Sequence, residues 1–141
     1  QNHDPFPNYY PGAMFPPVLW DQLEHKYPWP LEAGRRPVDE SDTAGRFDQP
    51  FAFALMQPSE QQAVVRWLLK MRKTKGFNHH DTSYNMKHNF ERSPHGFYMT
   101  NGQFKGALIA AGFRAKNTEH MNWLFNISSK DVRSEDPRYR R

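Results

Sequence analysis

The clearest pattern of apolar and polar positions follows Pro58. Four apolar residues recur there at the spacing of one face of an α-helix: Val64, Trp67, Leu68 and Met71. Ser59 followed by Gln62 has the spacing of an N-terminal capping box, and Gly76 stands where a helix can end. We therefore predict a helix from Ser59 to the residues before Gly76, with basic residues on its other faces and in its last turn: Arg66, Lys70, Arg72, Lys73 and Lys75.

Two shorter helices are predicted after it. Residues 84–92 have helical spacing, Asp81 is placed to help start the helix, and Ser93-Pro94 stops it. A short extended piece, residues 96–99, leads into a third helix opened by Thr100 and Gln103 in a second capping-box pattern. This helix carries an apolar stripe and ends before a glycine suited to a left-handed conformation: Phe104, Ala107, Leu108, Ala111 and Gly112.

Alternating positions then predict a β-hairpin. Residues 114–117 and 122–128 form its two strands, and Trp123, Phe125 and Ile127 alternate as a buried strand face does. Three helices followed by a hairpin is the order of a winged helix-turn-helix. The predicted fold class is therefore α+β: a small winged-helix-like domain over residues 58–128, with a long extended N-terminal arm over 1–57 and a basic C-terminal tail over 129–141.

The predicted arm is rich in proline and aromatic residues. Nine of the twelve prolines fall in the first fifty residues, which disfavours helix interiors and central strands there. Residues 39–45 resemble a linker, and residues 51–56 are predicted to form a short strand or an extended lead-in. Large rings contribute much of the contact energy at interfaces. We expect the arm to lie on a surface of its own domain or of a neighbouring subunit, anchored by its rings: Phe6, Tyr9, Tyr10, Phe15, Trp20, Tyr27 and Trp29.

Charge divides the chain into two regions. Residues 1–50 have a net charge of −4 and residues 51–141 one of +8, within a total of +4. An acidic arm and a basic body predict different partners for the two surfaces, or partners for each other. The chain contains no cysteine, which excludes disulfides and thiolate metal sites. No apolar stretch approaches the length of a membrane span.

Nucleic acid is one candidate partner of the basic body. Basic side chains predicted on the helices and hairpin are placed to meet phosphates, and two polar residues near the start of the third helix are placed to reach base edges. These candidates are Lys87, Arg92, Asn101, Gln103, Lys105, Arg114 and Lys116. A second pattern favours a protein partner instead, because small residues four apart on the third helix allow another backbone to approach: Gly102, Gly106 and Ala110.

Catalysis and metal binding are not predicted. His79, His80, Asp81, His88 and His95 lie close in sequence, yet they lack the fixed spacing of a known metal motif. Neither a G-x-S-x-G nucleophile motif nor a phosphate-binding glycine loop is present. We therefore predict a protein that is not an enzyme and that has no cofactor and no metal site.

Residues 82–127 resemble small uncharacterised proteins of phages and bacterial mobile elements. The likeness rests on the pattern T-S-Y-x-x-K-H-x-x-E, followed by G-F-Y-x-T-N-G-x-F-x-x-A-x-x-x-x-G-F. It covers about a third of the chain, and the arm lies outside it. What the resemblance implies is a compact domain of helices and a hairpin.

Taken together, the sequence favours a non-catalytic accessory or structural subunit of a large assembly, such as a ribonucleoprotein or an organellar complex. The body would dock through its helices and the arm would run over neighbouring subunits. A free winged-helix DNA-binding protein is the alternative. The compartment is open, with the interior of an organelle such as the mitochondrion preferred to the cytoplasm.

Overall fold

The computed structural model describes residues 48–118 and 120–139. In chain order they form a first 3₁₀ helix (Pro50–Leu55), α1 (Pro58–Leu68), α2 (Ser83–Arg92), α3 (Asn101–Ala110), β1 (Ala115–Lys116), β2 (Leu124–Phe125), α4 (Ser129–Ser134) and a second 3₁₀ helix (Pro137–Tyr139). The strands pair antiparallel, with Ala115 opposite Phe125 and Lys116 opposite Leu124. The predicted α+β class is confirmed.

Helix α1 differs from its prediction at both ends. Its capping box is formed by Gln57 and Glu60, two positions before the predicted Ser59 and Gln62. The backbone amide of Gln57 donates to Glu60 Oε1 at 3.2 Å. The helix ends at Leu68, well before Gly76. The reason is competition from the hairpin, because residues 72–74 pair with residues 126–128 through an antiparallel bridge and two flanking backbone hydrogen bonds of 2.9 Å.

Helices α2 and α3 agree closely with the pattern. Thr82, rather than Asp81, caps α2 by accepting from the Asn85 amide, and Asp81 instead accepts from the Asn85 side chain at 2.7 Å. The capping box of Thr100 and Gln103 at the start of α3 is present as predicted. Gly112 follows that helix with a φ of +94°, in the left-handed region where glycine is favoured.

The hairpin strands are shorter than predicted, although their buried face is the predicted one. Trp123, Phe125 and Ile127 are each at most 1% exposed. Asn126 is buried too, and its polar side chain is satisfied there: it accepts from the Arg114 amide at 2.5 Å and donates to the Thr74 carbonyl at 3.2 Å. The hairpin is therefore bound to residues 72–74 as well as to itself.

The segment before α1 is not a strand or an extended lead-in. Pro50–Leu55 is a 3₁₀ helix whose Phe51, Ala52, Phe53 and Ala54 are buried. It packs against α3 more extensively than any other pair of elements does, and the Gln61 side chain donates to its Phe53 carbonyl at 3.0 Å. This part of the predicted arm belongs to the core. We call residues 48–55 the closing segment.

The chain after Ser128 also belongs to the body in part. Val132 of α4 is 1% exposed, and Asp131 accepts from the backbone amide and the guanidinium of Arg72. The predicted basic tail therefore folds back along the domain as far as Tyr139. Among the described residues, no helix has the length and apolar character needed to cross a membrane.

Candidate interaction surfaces

Helix α3 lies at the centre of the fold, and each of its residues is buried or half-buried. The closing segment lies directly on its small residues. A Cβ atom at Gly102 would lie 2.2 Å from the carbonyl carbon of Asp48, and one at Gly106 would lie 2.1 Å from the Pro50 carbonyl oxygen. The backbone that approaches this face is therefore the chain's own, and Ala110 is half-buried at its end.

That arrangement corrects the prediction of a partner-binding face on the third helix. Gly102 and Gly106 are buried by the closing segment, and the Gly102 amide donates to Asp48 Oδ1 at 2.8 Å. A partner protein could reach these glycines only by displacing residues that carry buried aromatic rings.

The polar residues at the start of α3 are also occupied. Asn101 is 8% exposed and donates to the Met121 carbonyl at 3.1 Å and to Asn122 Oδ1 at 3.0 Å. Gln103 accepts from the Thr100 amide at 3.0 Å as part of the capping box. These contacts hold the polar groups of both side chains within the chain, which argues against the predicted contacts with base edges, although Gln103 is half-buried rather than buried.

Lys105 is buried rather than placed to meet phosphates. Its side chain is fully covered, and its amine lies 4.6 Å from the centre of the Trp123 ring. Burial lowers the pKa of Lys105 to about 8, while the charge of Asp48 opposes that shift. The signal that sequence reasoning missed is that α3 contains a single charged residue in ten, which is typical of a helix buried on all sides.

Lys87 is likewise buried, on the face of α2 that meets the residues before α3. It is 4% exposed, and its amine lies 3.0 Å from Glu91 Oε2. Glu91 also accepts from the Met99 amide at 3.2 Å and lies 3.0 Å from Nδ1 of His88. Burial raises the pKa of Glu91, but the hydrogen bonds from Lys87 and Met99 outweigh it and leave that pKa below its usual value.

Two exposed tyrosines flank this ionic group. The Lys87 amine lies 5.2 Å from the centre of the Tyr84 ring and 5.3 Å from that of Tyr98, and the Tyr98 side chain is 76% exposed. Tyr84 also meets His88 edge to face at 4.4 Å. Tyr84, Lys87 and Glu91 of α2 therefore form one group with Tyr98, in which the lysine is buried and the two tyrosines are exposed.

Arg92 is exposed at the end of α2. Its guanidinium donates to Asn89 Oδ1 and lies 3.9 Å from Asp136. Arg138 on the second 3₁₀ helix donates to the same Asp136 carboxylate at 2.8 Å. The hydrogen bond from Arg138 is the main reason why the pKa of Asp136 lies below its usual value. Arg92 therefore makes one of the contacts between α2 and the C-terminal segment.

Arg114 and Lys116, the last two predicted nucleic-acid contacts, are exposed and lie together. The Arg114 guanidinium is 5.5 Å and the Lys116 amine 5.4 Å from the centre of the Phe77 ring. Arg114 also donates to the Lys75 carbonyl at 3.3 Å. Lys73 lies over the ring of Phe113, the residue before Arg114. We call these four residues together with Lys73 the basic patch: Lys73, Lys75, Phe77, Arg114 and Lys116.

A groove of about 620 Å³ lies between α1, the end of α2 and the C-terminal segment. Its apolar lining comes from Trp67, Phe90, Pro94 and Pro137. Its rim carries Arg66, Lys70 and Arg92, with Lys70 3.7 Å from Glu135. We call this the docking groove. Arg66 has no ion pair within the described residues, so the rim retains positive charge.

Across residues 48–118 and 120–139, no three His, Asp or Glu side chains are arranged to hold an ion. Asp81 instead bonds to Asn78 and Asn85. The predicted arm anchors lie outside the described residues: Phe6, Tyr9, Tyr10, Phe15, Trp20, Tyr27 and Trp29.

Comparison of the chain with models of protein families, with curated proteins and with solved structures finds no match.

Proposed function

We propose that this protein is a non-catalytic accessory subunit of a large assembly, docked on a protein partner through its folded body. The observation that carries the proposal is the closed face of α3. A helix covered by its own chain offers nothing to a DNA groove, whereas the docking groove stays open beside it. The free surface therefore suits a protein partner better than a base sequence.

We also propose that the body is winged-helix-like. Support comes from the pairing of residues 72–74 with residues 126–128, next to the β1–β2 hairpin. Residues 72–74 thus act as a third strand between α1 and α2, and the order becomes helix, strand, helix, helix and hairpin. In that order α3 takes the position of the helix that DNA-binding members insert into the major groove. Here the closing segment covers the Gly102 and Gly106 face of that helix.

The docking groove sets the chemistry expected of the partner. Aromatic and proline side chains line it, and Arg66 adds an uncompensated charge at its rim. Interface energy usually comes from a few large side chains held in such pockets, while rim charges speed association and select partners. We expect the partner to present an acidic segment with at least one large apolar side chain.

The N-terminal arm forms the second part of the proposal. Its acidic and aromatic composition suits an extension that runs over neighbouring subunits, as in a ribonucleoprotein or an organellar assembly. Two anchors on one chain raise its retention through effective concentration, without any new contact at either one. Loss of either anchor is therefore expected to weaken incorporation, and loss of both is expected to abolish it.

The test is the native size of the full chain in gentle extracts of its source cells, with and without nuclease. We expect a large species that survives nuclease and that shifts toward the free protein for Arg66→Gln with Lys70→Gln. Deletion of residues 1–45 should shift it as well. If the chain runs as a free protein, or if neither change alters its size, the proposal is wrong.

The alternative, a free winged-helix DNA-binding protein, requires the closing segment to leave α3. It predicts that binding to one duplex sequence strengthens when residues 48–55 are removed. The docking proposal predicts that the same deletion unfolds the protein. Circular dichroism of this variant separates the two.

A further inference from the structure

We infer that the basic patch binds the phosphate backbone of nucleic acid without reading its bases. The patch is built from two parts of the chain. Lys73, Lys75 and Phe77 come from the stretch after α1, and Arg114 and Lys116 come from the start of the hairpin. The patch shares no residue with the docking groove, so this inference goes beyond the proposed function and does not depend on it.

Three of the four cations of the patch lie over aromatic rings, and the fourth, Lys75, contributes its backbone carbonyl to the contacts. Arg114 and Lys116 both lie over the ring of Phe77, and Arg114 also donates to the carbonyl of Lys75. The Lys73 amine lies 4.5 Å from the centre of the Phe113 ring, next to Arg114 in the chain. Contacts of this kind hold long side chains in place, which reduces the conformational entropy that binding would cost.

The cations of the patch have no ion-pair partner in the part of the chain that the structure describes. Lys73, Lys75, Arg114 and Lys116 are all exposed, and none of them forms an ion pair within the described residues. Arg72, which directly precedes Lys73, is different because Asp131 holds its guanidinium at 2.9 Å. Four neighbouring cations without a carboxylate attract a polyanion, and binding would release the counterions condensed on it.

The patch lacks the groups that other partners would need. Phe77 is its large apolar side chain, yet that ring lies beneath Arg114 and Lys116. No apolar side chain is therefore left to enter a membrane or to anchor a protein interface. Stacking on an unpaired base is hindered for the same reason, so a nucleic-acid backbone is the polyanion that fits best.

Base reading is also disfavoured at this surface. Specific readout commonly uses Arg, Asn or Gln side chains carried into a groove on a helix or a two-stranded ribbon. Arg114 is the patch residue of this kind, and its guanidinium already donates to the Lys75 carbonyl at 3.3 Å and lies over the Phe77 ring. Here Thr74, a neutral polar residue beside the lysines, donates its hydroxyl to the Gly76 carbonyl at 2.8 Å. What remains is a set of charges that positions a backbone and carries no sequence code.

The experiment measures the affinity of the full chain for labelled nucleic acid by fluorescence anisotropy between 50 and 200 mM salt. The probes are a 20-base-pair DNA duplex, a scrambled duplex, an RNA duplex and a single-stranded RNA. Four phosphate contacts predict a slope of log K against log salt of about −3.6 on duplex DNA and about −2.8 on single strands. The two DNA duplexes should bind equally, and the RNA probes show which nucleic acid is preferred.

The decisive variant is Lys75→Gln with Lys116→Gln. Losing two phosphate contacts should reduce the slope on duplex DNA to about −1.8. The matched control is Arg66→Gln with Lys70→Gln, which removes the same charge at the docking groove and should leave the slope unchanged. Both variants are first checked for an unaltered urea midpoint.

Three results would overturn the inference. One is a slope that both variants reduce equally, since that would mean diffuse attraction to the net charge. Another is a patch variant that binds with the slope of the parent protein. The third is tight binding to vesicles of anionic lipid or to a polyglutamate peptide, with no binding to any nucleic acid. A failed docking test at the groove together with an intact slope would refute the proposed function alone.

Discussion

Helix α3 and the basic patch both carry lysines in a basic domain, yet the fold uses them in opposite ways. On α3, Lys105 is sealed beneath Trp123, and the small residues beside it are covered by the closing segment. On the patch, Lys116 is exposed and braced by an aromatic ring from below. The same residue type is thus part of the core in one region and part of the surface in the other.

The difference shows that topology, rather than charge, decides which lysines are buried and which are exposed. Lys105 is covered by Trp123 of the hairpin, and α3 is also covered by a segment more than fifty positions earlier in the chain, since the Gly102 amide contacts Asp48 at a separation of 54 residues. The neighbours of Lys116 are supplied by a loop that leaves room for solvent. Four measurements test how firm this division is.

Deletion of the closing segment should have the largest effect. A chain that begins at Pro58 loses the burial of Phe51, Phe53 and Met56, which contribute roughly 1.5–3 kcal/mol each. Since domains are stable by about 5–15 kcal/mol in total, we expect loss of cooperative urea unfolding. A chain that begins at Arg46 is the control and should still unfold cooperatively. Equal midpoints for the two chains would show that α3 does not need its cover.

Adding a side chain at Gly106, on the face of α3 that the closing segment covers, should have the next largest effect. The Cβ of Gly106→Ala would collide with the Pro50 carbonyl oxygen, which is backbone and cannot rotate away. We expect a loss of about 2–3 kcal/mol in the free energy of unfolding, measured by urea denaturation. The matched control is Gly76→Ala, where the added atom meets nothing within 4 Å. That variant should be neutral or slightly stabilising.

The buried lysine should make stability depend on pH. The pKa of Lys105 is about 8 in the folded protein and 10.5 ordinarily, so between these values the unfolded chain binds more protons. Its contribution to stability therefore rises as the pH increases from 8 to 10.5, by about 3 kcal/mol. Urea denaturation across this range should show that rise in the parent protein relative to Lys105→Met. If the free energy of unfolding changed with pH equally in the parent protein and in Lys105→Met, Lys105 would be in contact with water.

The exposed lysines should have the smallest effect on stability. Lys75→Gln with Lys116→Gln removes two charges without opening a cavity, so the free energy of unfolding should change by about 0.5 kcal/mol or less. The same urea measurement at pH 7 tests this value. A loss as large as that of Gly106→Ala would mean that the patch is structural, which would weaken its assignment as a binding surface.

Much of the fold could be predicted from local patterns, because caps and turns act over a few residues. The Thr100–Gln103 capping box, the left-handed Gly112 and the limits of α2 depend on neighbours within one turn. The end of α1 could not be predicted in the same way, since it depends on pairing with residues 126–128. The pairing of Lys73 with Ile127 outweighs the helix propensity of the lysine-rich residues 70–75.

The surfaces were harder to predict than the helices. Arg114 and Lys116 are exposed as expected, whereas Lys87, Asn101 and Lys105 are buried because later or earlier segments cover them. Spacing alone places a side chain on a face of its own helix, but it does not say what covers that face. The composition of α3 was the available signal, and the closing segment explains it.

The cover of α3 also has a consequence during synthesis. The closing segment leaves the ribosome about fifty residues before the helix that receives it. At translation rates of roughly 5–20 residues per second, its Phe51 and Phe53 remain without their binding site for several seconds. A nascent chain with exposed aromatic residues is a substrate for chaperones and is prone to aggregate. The contact that closes the finished domain therefore leaves these aromatic side chains exposed to aggregation until α3 has been synthesised.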